Sequence, residues 1–162
     1  MKIGLISDTH GDVDSTQRAL EILDTLHIDV IIHCGDVGLE VIPLFHGRRV
    51  HFVHGNMDDP GLLREAIGRP EHTFHDSPGT LEMEGRRVAF LHGHDVKLLH
   101  HTIHSGHWDL VCHGHTHAFS SGCEGQTLVV NPGALAQTHH PSLAVVEIPS
   151  LEVTEVPLES KG

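Results

Sequence analysis

Seven side chains able to bind a metal ion recur where apolar runs end: Asp8 and His10 in SDTHG, Asp36 in HCGD, Asn56 in HGNMD, His92 in LHGH, and His115 and His117 in HGHTH. Taken singly, each has an ordinary explanation. An aspartate after a strand commonly caps a helix, and a lone histidine is usually a surface group or a neutral hydrogen-bonding one. The repetition asks for chemistry, because run after run delivers a ligand-type side chain next to a glycine. Carboxylate, carboxamide and imidazole donors without thiolate suit borderline divalent ions such as Mn, Fe, Co, Ni or Zn. Calcium takes oxygen ligands, and structural zinc more often takes cysteines. Seven ligands are too many for one tetrahedral ion and match two. With Asp8 and Asp36 as the only carboxylates in the set, two divalent ions leave the pocket net positive within a chain of formal charge −12. Such a pocket calls for an anionic substrate oxygen, for example phosphoryl.

The elements that must position these groups follow from hydrophobic periodicity. Ile3 to Ser7 is expected as a buried strand, followed by a helix over DSTQRALEILDTL with Asp14 or Ser15 as its cap. DVIIHCGD and RRVHFVHGNMDD repeat the pattern of apolar strand and polar end, with a short helix between them around Gly38 to Phe45. GTLEMEGRRVAFLHGHD predicts two strands about a turn at Glu84–Gly85, and VKLLHHTIHSG a helix stopped by Gly106. WDLVCHGHTH predicts a further strand; hairpins are expected about Glu124–Gly125 and about Pro149–Ser150. Strands that alternate with helices and end in polar loops imply a largely parallel, helix-covered sheet with its site along one edge. The expectation is an α/β fold of two β-sheets flanked by helices, in one domain spanning residues 1–162.

Composition narrows the partners. Twenty-two acidic against ten basic side chains disfavour binding to a nucleic-acid backbone or an anionic membrane surface. No apolar run approaches the ~18 residues of a membrane span. The opening run is too short for a signal sequence, and Cys34, Cys112 and Cys123 form no CxxC pair, so a cytoplasmic protein with reduced cysteines is expected. His33 and His113, at the ends of apolar strands, are expected to hydrogen-bond loop backbone rather than a metal. His100, His101, His104, His107, His139 and His140 are expected at the surface or rim, and Trp108 as a packing anchor.

In this order and spacing, SDTHG, HCGD, HGNMD, LHGH and HGHTH resemble the calcineurin-like metallophosphoesterases, and among them the small YfcE-like phosphodiesterases. The resemblance runs from Lys2 to about Gly133. It implies the four-layer sandwich of that family, a cofactor of two divalent ions, Mn first with Zn, Fe, Ni or Co as alternatives, and a small phosphorylated substrate. It further implies that Asp8, His10, Asp36 and His117 hold one ion, that Asp36, Asn56, His92 and His115 hold the other, and that Asp36 is shared. Hydrolysis would follow from attack of a metal-bridging hydroxide on a small phosphodiester, with Asp36 and Asn56 part of the catalytic set.

One departure matters. Many members of the wider family carry GNH, where the histidine protonates the leaving oxygen; here Met57 follows Asn56, and a thioether cannot donate a proton. His94 is the replacement expected from the sequence. Asp58 and Asp59 are near enough to orient a ligand imidazole. A phosphomonoesterase is the alternative enzyme, and a protein-binding scaffold on the same fold the non-enzymatic one; retention of all seven ligand-type residues argues against the scaffold. Homodimerisation through an exposed edge or hairpin is compatible with either.

Overall fold

The computed structural model describes residues 1–159. Among these residues eleven strands form two sheets. The first has six: β1 (Lys2–Ile6), β2 (Val30–His33), β3 (Val50–Phe52) and β4 (His72–Phe74) run parallel, β10 (Ser142–Glu147) pairs antiparallel with β1, and β11 (Val153–Pro157) pairs antiparallel with β10. The second has five, in the order β5 (Gly79–Met83), β6 (Arg86–Phe90), β7 (Leu110–Cys112), β9 (Thr127–Asn131) and β8 (Ser120–Glu124). Helices α1 (Val13–Thr25) and α2 (Pro60–Ala66), with the 3-10 segment Leu39–Phe45, cover the outer face of the first sheet. Helix α3 (Val96–His104) covers the second. This is the expected four-layer α/β sandwich.

The period of two along each strand assigns its side chains to alternate layers. Ile3 and Leu5 of β1, Val30 and Ile32 of β2 and Val53 after β3 face the second sheet, where they meet Val88, Phe90, Leu110 and Cys112. Ile6, Ile31, Val50 and Phe52 face Leu20, Leu23 and Phe45 on the helical side. Trp108 packs with Leu98, Leu99 and Ile103 against Leu91 and Val111, as an anchor for α3. Among the described residues no helix is long and apolar enough to cross a membrane.

Two elements escape the periodicity argument. Strand β4 has three residues, His-Thr-Phe, at a sheet edge, and α2 has seven residues that begin with Pro60; neither is long enough to show a period. The cap of α1 is Asp12, whose side chain accepts from the Ser15 N–H at 3.0 Å, and not Asp14 or Ser15. The cap thus lies two residues before Asp14, where the Asp12 N–H is itself tied to the Thr9 carbonyl.

Histidines inside the layers carry a cost in acid. Burial first, and the neighbouring His92 next, lower the His33 pKa to about 3. Burial, then His75 at 2.9 Å from its Nδ1, lower that of His51 to about 4. An imidazole that protonates less readily folded than unfolded leaves stability whole above pH ~6.5 and removes it as pH falls from there toward the folded value. For the fully buried His33 this amounts to up to about 1.4 kcal/mol per pH unit. The Tm of chelator-treated protein should therefore fall between pH 6.5 and pH 5, and the fall should be shallower in His51→Phe, as read by thermal melts; parallel curves would assign the loss to other groups.

Candidate metal centre

The C-terminal ends of β1, β2 and β3 in one sheet and of β6 and β7 in the other meet at a single edge. Beyond the strands, the β1 and β2 loops stay in register: the N–H groups of Asp8, His10 and Gly11 donate to the carbonyls of Gly35, Asp36 and Val37 at 2.9–3.0 Å. The parallel ladder is in effect prolonged by loop backbone. Asp8 and Asp36 are thereby held side by side, both buried.

Each carboxylate has one oxygen satisfied by the protein and one left over. Asp8 Oδ2 accepts from the Ser7 hydroxyl (2.6 Å) and the His115 N–H (3.2 Å). Its Oδ1 is buried without a hydrogen-bond partner and lies 3.3 Å from His117 Nε2, 3.6 Å from His10 Nε2 and 3.8 Å from His92 Nε2. Asp36 Oδ1 accepts from the Met57 N–H at 2.9 Å, while its Oδ2 faces His92 Nε2 at 3.2 Å and His10 Nε2 at 3.8 Å.

The imidazoles are oriented to match. The Nδ1–H of His92 donates to the Cys34 carbonyl at 2.8 Å, and that of His117 to the Gln137 carbonyl at 3.3 Å, so each keeps an Nε2 lone pair for the centre. These tautomers are assigned from the carbonyl partners. His92 Nε2 is a second buried atom without a hydrogen bond, and the Nε2 atoms of His10 and His117 stand 3.4 Å apart. Lone pairs thus face lone pairs, an arrangement that a cation resolves.

Two groups of three ligands result, Asp8–His10–His117 and Asp8–Asp36–His92, each with its donor atoms mutually within 4.8 Å. They form a dinuclear metal-binding site bridged by Asp8. Asp8 is common to both groups because the Ser7 and His115 contacts turn its Oδ1 toward all three imidazoles, and Asp36 Oδ2 also faces an imidazole of each group, His10 and His92. Burial works against charge on His92, but Asp36 and Asp8 outweigh it and raise its pKa. Burial would likewise raise that of Asp36, yet His92 and the Met57 N–H hold it at about 2. The site prefers a positive charge between these groups.

His115 and Asn56 lie on the same edge, exposed to solvent, and His115 stands outside the two groups. The His115 ring is centred 5.1 Å from that of His92. Asn56 sits between two residues in contact with Asp36, since the neighbouring Met57 N–H binds it and a Cβ on Gly55 would lie 2.1 Å from Asp36 Oδ1. Gly114 is equally constrained, as its Cβ would meet Ser7 Oγ at 2.0 Å. His94 is exposed at the mouth, its ring 5.5 Å from His92 and 6.4 Å from His115. His33 and His113 turn to loop groups: His33 Nδ1 accepts from the Gly35 N–H, and His113 Nδ1 lies 3.1 Å from the Gly114 carbonyl.

Some contributors act otherwise than the sequence suggests, or carry no signal in it. Asp58 orients no imidazole; its carboxylate accepts from the N–H groups of Val37, Gly38 and Gly55 at 2.9–3.1 Å and so ties the β2 loop to the β3 loop. Asp59 caps α2 through the Leu62 N–H. Gln137, which orients His117, also lines a cleft shared with His10, Asp36, Gly38, Met57 and Asp58. Its part depends on a loop returning from the far end of the chain, which no local pattern reveals.

Residues 1–150 match the family model of the calcineurin-like phosphoesterase superfamily domain. The chain is similar to a phosphodiesterase of Methanocaldococcus jannaschii, 32% identical over 166 residues that cover 98% of this chain and 100% of that one. Its fold is similar to the solved structure of an archaeal phosphodiesterase (TM-score 0.86, 30% identity, covering 98% of this chain and 100% of the other). It is similar in fold alone to a phosphoesterase of E. coli (TM-score 0.73, 19% identity, covering 98% and 100%).

The Asp58 clasp gives a direct test. Replacing it with alanine leaves three loop N–H groups without their acceptor and frees the β2 and β3 loops from one another. Asp58→Ala should keep the fold by circular dichroism and lower divalent-ion affinity by about 10–100-fold in calorimetric titration, the range typical of groups that support metal ligands.

Proposed function

The chain belongs to the calcineurin-like phosphoesterase superfamily, and on that premise we propose that it is a two-metal phosphodiesterase acting on small phosphodiesters. The observation that carries this is the pair of ligand groups joined at Asp8, with unpartnered Asp8 Oδ1 and His92 Nε2 turned into a site whose donors mix carboxylate and imidazole. When bound, the ions supply activation of water and neutralisation of phosphoryl oxygens. In this reading Asp8, His10, Asp36, Asn56, His92, His115 and His117 hold them. The neutral Asn56 carbonyl adds a donor without cancelling positive charge. Manganese is the first choice for such donors, with Zn, Fe, Ni and Co as alternatives.

The remaining groups divide the work. Met57, open to solvent, has no proton to give, so His94 at the mouth is the group assigned to the leaving oxygen. The cleft contains no Lys or Arg among its lining residues. A phosphomonoester dianion brings one more negative charge than a diester and finds no protein cation to meet it, which favours the diester. The same reading takes the chain as one cytoplasmic domain to which both sheets give ligands. It leaves nucleic acid aside on grounds of charge, and it allows pairing of copies through the exposed edge strand β8.

The test is removal of metals by chelation followed by return of each candidate ion, with a panel of aryl phosphodiesters and monoesters. Activity should vanish with the metals, return best with Mn and be abolished in Asp36→Asn; hydrolysis that survives in both the metal-free and the substituted protein would belong to another site. A second measurement addresses Met57. If protonation of the leaving oxygen is weakly assisted, 4-nitrophenyl diesters should be hydrolysed much faster than dialkyl diesters, and equal rates would require a stronger acid than His94 provides.

A further inference from the structure

We propose that an apolar groove opening off the metal cleft binds an uncharged alkyl or aryl group of the phosphoryl ligand, an inference that rests on the phosphodiesterase reading of the centre. Among the described residues six large apolar side chains stand exposed: Met1, Val13, Leu39, Met57, Leu62 and Val96. Three of the six line a single groove, Leu39 at 44% exposure, Met57 at 72% and Leu62 at 52%, with the buried Leu63 also lining it. They come from three separate places in the chain, the start of the 3-10 segment, the loop after β3 and the first turn of α2. Isolated exposed leucines need no explanation, but a convergence of this kind does.

The occupant follows from what the groove adjoins and from its charge. Gly38, Met57 and Asp58 line both the groove and the cleft that holds His10 and Asp36. A ligand whose phosphoryl oxygens meet the metal donors can therefore lay a substituent across Met57 onto Leu39 and Leu62. Glu40, Asp58 and Asp59 also border the groove, and no Lys or Arg does. Asp58 and Asp59 already spend their carboxylates on backbone N–H groups. An anionic substituent would be repelled there, whereas an uncharged apolar one gains by leaving water. The groove thus selects diesters of simple alcohols or phenols and rejects groups that carry a second phosphate.

The inference is tested by calorimetric titration of the Mn-loaded full-length protein with n-alkylphosphonates from methyl to hexyl. Their C–P bond is not an ester, so binding is measured apart from turnover. Affinity should rise along the series by up to about fourfold per methylene, and 3-phosphonopropionate should bind more weakly than butylphosphonate. Leu39→Ser and Leu62→Ser, both at exposed positions, should each flatten the rise while methylphosphonate binds as before. Length-independent affinity, a rise unchanged in both variants, or no binding at any length would overturn the proposal. A flat series with diester hydrolysis intact discards the groove alone; a length-dependent series without any diester hydrolysis discards the phosphodiesterase reading and keeps the groove.

Discussion

Everything at the active edge depends on holding two buried carboxylates and three imidazole nitrogens with their lone pairs toward one another. A protein cannot normally tolerate this, because buried charge and unpaired acceptors cost several kcal/mol each. Here the unfavourable arrangement is made by satisfying the far side of four of these five groups. Asp8 Oδ2 has Ser7 and the His115 N–H, Asp36 Oδ1 has the Met57 N–H, His92 Nδ1 has the Cys34 carbonyl, and His117 Nδ1 has that of Gln137. With their outer atoms anchored, these side chains cannot rotate to relieve the conflict. Binding of divalent cations converts that repulsion into attraction, and the scaffold is arranged so that little else could.

The backbone bears the corresponding strain. Among the described residues nine non-glycine ones have positive φ, and five of them are Asp8, His10, Asp36, His115 and His117. The left-handed region costs a residue with a Cβ roughly 1–2 kcal/mol, less for the short polar side chains that tolerate it best. Such residues persist only where their surroundings over-determine them. The surroundings here are the loop hydrogen bonds that prolong the β1–β2 ladder, and the Asp58 carboxylate that gathers three N–H groups. A left-handed turn at the end of a strand swings the following side chain back over the edge, which brings ligands from neighbouring strands within reach of one ion.

Much of this was legible in the residues. The strand ends could be found because an apolar run that stops at aspartate or histidine beside glycine is a local signal, and the resemblance to a family supplied the order in which ligands are used. The layer architecture followed from alternation between sheets and helices. What stayed hidden has a common cause: it depends on distances between loops, and spacing along the chain does not carry distance. That Asp8 joins both ligand groups depends on where Ser7 and the His115 N–H lie; the role of Asp58 depends on how the β2 loop abuts the β3 loop; Gln137 reaches the site from beyond β9. Strand β4 and helix α2 were hidden for a different reason, as they are too short and too polar to show a period.

The charge of the chain bears on which esters the site can serve. At −12 the protein repels every phosphate ester at a distance, and a monoester dianion about twice as strongly as a diester monoanion. At physiological salt the screening length is about 8 Å, so this discrimination fades a short way from the surface and the choice is made inside the cleft. There bound ions would supply the strong positive charge, held by Asp8 and Asp36 with Asp58 nearby, and no arginine or lysine is among the described residues that line the cleft. The first unit of substrate charge meets metal; a second would meet carboxylate. A singly charged ester with an apolar group turned away from the ions fits that field better than any more highly charged one, so the electrostatics of the centre and the apolar character of the neighbouring surface favour the same kind of ligand for independent reasons.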